Sequence, residues 1–129
     1  MAEPTVRLLS IAERRVTDMP AFISRLHDKK VYVIGRIAVF QDPWMATKRP
    51  ELAVKRASDK NMIWKDYKGV SWIDPGAKEY WRYIVSLSKV AYATGFDEIN
   101  FDYIRFPSDG NMNDIYYPKS DGQMKAQVM

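Results

Sequence analysis

Polar side chains alternate with apolar ones in residues 96–107, FDEINFDYIRFP. Because successive side chains of a strand point to opposite faces, Glu98, Asn100 and Asp102 share one face of a predicted strand. A helical pattern that ends at Gly95 precedes it, which indicates a parallel α/β unit, whose strands are usually apolar on both faces. The polar stripe therefore predicts a strand that faces a barrel interior and ends in a functional carboxylate, Asp102.

A second strand is predicted for residues 31–40, VYVIGRIAVF, a near-continuous apolar run rich in β-branched residues. Arg36 interrupts this run. A lone charge inside a buried strand is too costly to keep unpaired, so we expect Arg36 to meet Asp102 or Glu98 on the neighbouring strand. Such a pair would either hold Asp102 ionised for catalysis or be purely structural.

Helix signals precede both strands. Thr17 or Asp18 can cap a helix with a proline in its first turn, and Asp74-Pro75 reads as the N-cap and first position of a helix over about residues 75–94. Residues 6–9 are compatible with a short strand, and the last ten residues with the start of another helix.

The predicted order is helix, strand, long loop, helix, strand, long loop, which makes two βα units. A closed (β/α)8 barrel typically has about 250 residues, whereas this chain has 129. We therefore predict an α/β fold that is a fragment of a TIM barrel, with about two to three βα units. The chain would form one partial domain over residues 1–129.

Aromatic and charged side chains cluster in the predicted loops. Aromatic faces stack on the apolar faces of sugar rings, and polar groups bond their hydroxyls, so this composition favours a carbohydrate cleft. The alternatives are that the tryptophans pack over the barrel rim, that Tyr103 packs against helices, and that Asp102 caps its loop or pairs with Arg105. The predicted substrate-binding residues are Arg36, Asp42, Trp44, Trp64, Trp72, Asn100, Tyr103 and Arg105, beside catalytic Asp102.

Composition narrows the function classes. The net charge is +4, but the basic residues occur in scattered pairs, whereas a nucleic-acid interface needs a concentrated patch. There is no Cys and a single His, His27, which we expect at a solvent-facing helix end; this argues against a transition-metal site. We predict no metal, no cofactor, no nucleic-acid partner, no signal peptide and no membrane segment.

Four ordered blocks of the sequence resemble the DUF4015 family of bacterial glycoside-hydrolase-like barrels. The blocks are YVIGRIAVFQDP at residues 32–43, RPELAVK at 49–55, WIDP at 72–75 and GFDEINFDYIRFPSDG at 95–110. The resemblance covers about residues 18–110. It implies a (β/α)8 barrel that acts on a polysaccharide, with Asp102 at the strand-four carboxylate position and Arg36 at the strand-three arginine.

The resemblance also implies that the remaining barrel strands and a second catalytic carboxylate are missing here. We therefore expect a truncated, inactive glycoside hydrolase whose parent acts outside the bacterial cytoplasm. Exposed barrel edges would favour self-association. The alternative is a non-catalytic carbohydrate-binding or interaction module that kept the aromatic cleft.

Overall fold

The computed structural model describes residues 16–120, so the predicted strand at residues 6–9 and the predicted final helix lie largely outside the described part of the chain. Its helices and strands, in chain order, are α1 (Met19–Asp28), β1 (Ile34–Ala38), α2 (Pro43–Lys48), α3 (Lys78–Thr94) and β2 (Glu98–Asp102). Short 3₁₀ helices occupy Pro50–Leu52 and Met112–Asp114.

Strands β1 and β2 are parallel neighbours in a two-stranded sheet. The Asp97 N–H donates to the Val33 carbonyl just before the strands, and the Val39 N–H donates to the Asp102 carbonyl at their ends, both at 2.9 Å. The predicted pairing is confirmed, with α3 between the two strands in sequence. The described residues thus have an α/β arrangement, and the eight-stranded barrel stays a prediction.

The chain divides into two compact units. The first unit is Met1–Ile37 with Arg82–Asn100, and the second is Ala38–Trp81 with Phe101–Met129. In the first unit, the Asp18 carboxylate accepts the Ala21 N–H at 3.1 Å, so Asp18 caps α1 as predicted.

Helix α3 ends at Thr94 because Gly95 has φ +128°, a conformation that side chains rarely allow. A Cβ at Gly95 would also come within 3.1 Å of the buried side chain of Ile23. The predicted helix stop is therefore confirmed.

His27 lies at the end of α1, as predicted, but it does more than face solvent. Its Nε2 lies 2.8 Å from Asp97 Oδ2, which also accepts the Val33 N–H at 2.8 Å. The hydrogen bond from Val33, followed by that from His27, holds the pKa of Asp97 below its ordinary value. These contacts link the end of α1 to the residue before β2.

Strand β1 is less buried than its sequence predicts. Its residues alternate between exposed and half-buried, and Arg36 occupies an exposed position. The apolar run enters the core only at Val39 and Phe40, which are almost fully buried. The prediction of a strand buried on both faces was wrong, because no residue of β1 is more than half-buried among the described residues.

The segment between β1 and α3, which the sequence predicts as a long loop, contains short stretches of β-pairing in the structure. Single antiparallel bridges join Ala53 to Ile73, Lys55 to both Ile63 and Tyr116, and Lys65 to Ser71. These bridges are too short for a two-residue hydrophobic period to show in the sequence. The buried side chains of this segment include Leu52, Val54, Trp64, Trp72 and Ile73.

Candidate functional site

Asp102 is the last residue of β2 and is half-buried. Its Oδ1 accepts the N–H of Tyr103 at 2.8 Å, and its main-chain carbonyl accepts the Val39 N–H. Tyr103 has φ +58°, a left-handed conformation that is uncommon for a bulky residue. The backbone therefore turns sharply at the strand end, where the carboxylate of Asp102 is oriented by the amide that follows it.

Tyr103, Trp72 and Arg105 form one cluster of side chains. The rings of Trp72 and Tyr103 meet edge to face with centroids 6.0 Å apart. The Arg105 guanidinium carbon lies 5.1 Å from the Trp72 ring centroid and 5.5 Å from that of Tyr103. These distances are within the range of cation–π attraction.

Asp66 holds the Trp72 ring of this cluster through a hydrogen bond, and it was not predicted as a site residue. The Trp72 indole N–H donates to Asp66 Oδ2 at 3.0 Å, and the Lys68 and Val70 N–H groups donate to Oδ1 at 3.0 and 2.9 Å. Burial disfavours the charged carboxylate, but these hydrogen bonds outweigh it and lower the pKa of Asp66. The signal in the sequence is the turn-like run DYKG at residues 66–69, whose Gly69 has φ +77°.

Asp42 follows β1 and caps α2. Its Oδ1 accepts the Met45 N–H at 3.0 Å, and its Oδ2 lies 2.9 Å from the Tyr80 hydroxyl, which also contacts the Val39 carbonyl. Burial raises the pKa of Asp42 despite these hydrogen bonds. Asp42, which follows β1, therefore retains its proton to higher pH than an ordinary aspartate.

The three predicted tryptophan platforms differ in exposure. Trp64 and Trp72 are 2% and 1% exposed, and Trp64 donates its indole N–H to the Asn111 carbonyl at 3.1 Å. Neither ring offers a free face to a sugar, because both fill the core of the second unit. Trp44 is half-buried on α2, and its indole N–H is buried without an acceptor among the described residues.

Arg36 and Asn100 belong to the first unit, and both occupy exposed positions of their strands. The premise that Arg36 is a buried charge was therefore wrong, while its pairing with Asp102 or Glu98 stays a prediction. Glu98 accepts a hydrogen bond from the Tyr32 hydroxyl at 3.0 Å.

Asp74 does not cap α3, which begins three residues after the predicted start, at Lys78. Its fully buried carboxylate accepts N–H groups from Gly76, Lys119 and Ser120 and the Ser120 hydroxyl. The predicted N-cap role was wrong because this carboxylate binds a segment 45 residues away in sequence.

No group of three or more His, Cys, Asp or Glu side chains within residues 16–120 is arranged to hold a metal ion. In the same part of the chain, no helix has the length and apolar character needed to span a bilayer.

Comparison with known proteins gives a family and a solved relative. Residues 1–129 match the model of the DUF4015 family, described as "Putative glycosyl hydrolase domain". The fold is similar to a crystal structure of a hypothetical protein from Ruminiclostridium thermocellum ATCC 27405, with a TM-score of 0.82 and 34% identity. The alignment covers 97% of this chain, which spans 62% of that protein. No curated protein matches the sequence. The match over the whole chain shows that it belongs to the DUF4015 family.

Proposed function

We propose that the full-length protein containing this domain hydrolyses glycosidic bonds in a polysaccharide and that Asp102 is one of its catalytic carboxylates. The observation that carries the proposal is the placement of Asp102 at the C-terminal end of β2, a parallel strand, with its Oδ1 2.8 Å from the Tyr103 amide. Functional groups of parallel α/β folds lie at this end of the strands. The description of the family as a glycosyl hydrolase domain supports the same reaction class.

The chemistry requires a carboxylate beside the anomeric carbon. Glycoside hydrolysis passes through an oxocarbenium-like transition state, which a nearby negative charge stabilises or a carboxylate nucleophile attacks. We assign this role to ionised Asp102. The left-handed backbone at Tyr103 supports the assignment, since strained conformations of bulky residues cluster at functional sites.

Substrate binding is assigned to residues around that strand end. Within the second unit, Tyr103 and Arg105 follow Asp102, while Asp42 and Trp44 follow β1. Trp64 and Trp72 support the site from the core instead of stacking on sugars, because their rings are buried. Arg36 and Asn100 are proposed substrate contacts on the strength of their strand positions in the sequence alone.

We further propose that the two βα units are part of a (β/α)8 barrel in the full-length protein. The parallel pairing of β1 and β2 supports this architecture, as does the helix between them. The R. thermocellum relative, of which this chain spans 62%, is long enough to contain further units.

The test is reducing-sugar release from a panel of bacterial and plant polysaccharides by the full-length protein. Asp102→Asn should abolish release while leaving folding and oligosaccharide binding nearly unchanged, because it keeps the size of the side chain and removes only its charge. Trp44→Ala should weaken binding, since stacking acts on ground and transition states alike. Binding without release by the wild type would instead favour a non-catalytic carbohydrate-binding module.

A further inference from the structure

The guanidinium of Arg105 is held in one orientation by its surroundings. It lies over the rings of Trp72 and Tyr103, and its Nη1 donates to the Phe106 carbonyl at 3.2 Å and to the Ser108 hydroxyl at 3.1 Å. The Trp72 ring is itself fixed by its hydrogen bond to Asp66. An exposed arginine would ordinarily sample many rotamers, so these contacts reduce the entropy that a ligand would have to remove.

The opposite edge of this guanidinium is left without a partner. Arg105 is exposed, and no carboxylate of residues 16–120 pairs with it. Its hydrogen bonds within that part of the chain use Nη1, so the edge formed by Nε and Nη2 keeps its donors for a ligand. Two parallel N–H groups on a planar guanidinium match the two oxygens of a carboxylate.

The position of Arg105 close to Asp102 in sequence indicates which kind of ligand would carry a carboxylate that Arg105 can bind. Arg105 is the third residue after Asp102, so their Cα atoms are at most about 11 Å apart, the length of three extended residues. A sugar bound beside Asp102 would therefore have its neighbour in reach of Arg105. Tyr103 lies between them in sequence, and its ring contacts the guanidinium.

From these contacts we propose that Arg105 binds the carboxylate of an acidic sugar, so that the substrate is a uronate-containing polysaccharide. This inference rests on the proposed glycosidase function and names its substrate class. A sulfate ester on a sugar presents related oxygens, and the experiment below separates that source from a carboxylate.

The experiment measures the affinity of the full-length protein for acidic oligosaccharides by calorimetry at fixed ionic strength. The probes are oligogalacturonate, alginate oligosaccharide and glucuronoxylan oligosaccharide, each with its carboxyl-reduced neutral counterpart, and a sulfated neutral oligosaccharide. At least one uronate should bind about tenfold or more tighter than its reduced counterpart, as expected for a bidentate charge-assisted contact. Tighter binding of the sulfated probe than of every uronate would overturn the carboxylate assignment.

Substitutions connect the preference to Arg105. Arg105→Gln should abolish the preference for the acidic probe, so that this probe and its neutral counterpart bind with equal affinity. Arg82→Gln is the matched control, because Arg82 is also exposed and its loss changes the net charge equally. An equal effect of the two substitutions would mean nonspecific attraction and would overturn the proposal. If Arg105→Gln does not fold, Arg105→Lys serves in its place, and it should lose about fivefold because an ammonium lacks the two parallel donors.

Hydrolysis is followed separately by reducing-end release from the same oligosaccharides. Release from neutral probes without an acidic preference would overturn the inference about Arg105 and leave the glycosidase proposal intact. Arg105-dependent binding of a uronate without any release would support the binding site and contradict the glycosidase proposal. Equal binding of every acidic probe and its reduced counterpart would overturn the substrate class.

Discussion

The indole N–H of Trp72 donates to the carboxylate of Asp66 at 3.0 Å, so the ring beneath Arg105 is fixed to a buried acid. In Asp66→Asn, an amide NH₂ would replace one of the two carboxylate oxygens that now accept N–H groups of Lys68, Val70 and Trp72. Leaving such donors unsatisfied costs about 1–3 kcal/mol. We expect a loss of that size in the free energy of unfolding by urea at pH 7. Asp59→Asn is the control, since Asp59 is exposed and its carboxylate accepts the N–H of nearby Asn61.

The same carboxylate predicts a pH dependence. Hydrogen bonds lower the folded-state pKa of Asp66 below its ordinary value, so its stabilising contribution is present above the unfolded pKa and is lost as pH falls through the folded pKa. The free-energy difference between wild type and Asp66→Asn should therefore shrink as pH is lowered below about 4. A difference that stays constant across this range would contradict the lowered pKa.

The pKa of Asp42 is shifted in the opposite direction to that of Asp66. Its folded-state pKa is raised above 3.8, so the folded protein binds the proton more tightly and stability falls as pH rises through the window between the two pKa values. Tyr80→Phe should raise the pKa of Asp42 further, because the hydrogen bond from the Tyr80 hydroxyl lowers it. Carboxyl chemical shifts followed by NMR through a pH titration measure both effects. A lower pKa in Tyr80→Phe would contradict this account of the pair.

The carboxylate of Asp74 holds the backbone at residues 119–120 in place. Its buried carboxylate accepts N–H groups of Lys119 and Ser120 at 2.6 and 3.0 Å. Asp74→Asn should therefore lower the free energy of unfolding by about 3 kcal/mol, the cost of breaking a buried charged network. The Lys119 and Ser120 amides should also lose their protection in hydrogen exchange. Retained protection at both amides would show that other contacts hold the segment.

Gly110 packs against the buried ring of Trp64. A Cβ at this position would lie 2.4 Å from the indole and 3.2 Å from the Asp66 Cα. Gly110→Ala should cost about 1–3 kcal/mol or more, as overpacking of a core does. Gly69→Ala is the comparison, because Gly69 has φ +77° but open space around its Cα; it should cost only about 1 kcal/mol of backbone strain. Equal losses in denaturant melts would mean that Trp64 moves aside without cost.

Local signals in the sequence predicted several elements correctly. The Asp18 cap, the Gly95 stop and the parallel pairing of β1 and β2 follow from capping chemistry, glycine conformation and hydrophobic runs, all of which act over a few residues. Cap chemistry gave the wrong role for Asp74, because its partners at residues 119–120 are distant in sequence.

The candidate site was predictable only in part. Tyr103 and Arg105 were expected beside Asp102, whereas their contacts with the Trp72 ring were not predicted. Asp66 was missed because its role depends on which indole reaches it, a contact that no sequence period encodes. The burial of Trp64 follows from single bridges and from Gly110, neither of which leaves a pattern in the sequence.

The most direct test of the central claim is polysaccharide hydrolysis by wild type and Asp102→Asn, with thermal melts and oligosaccharide binding of both proteins. If Asp102 supplies the charge that stabilises the transition state, turnover falls by about a hundredfold or more while Tm and affinity stay close to wild type. An Asp102→Asn protein with full turnover would contradict the account and remove Asp102 from the mechanism.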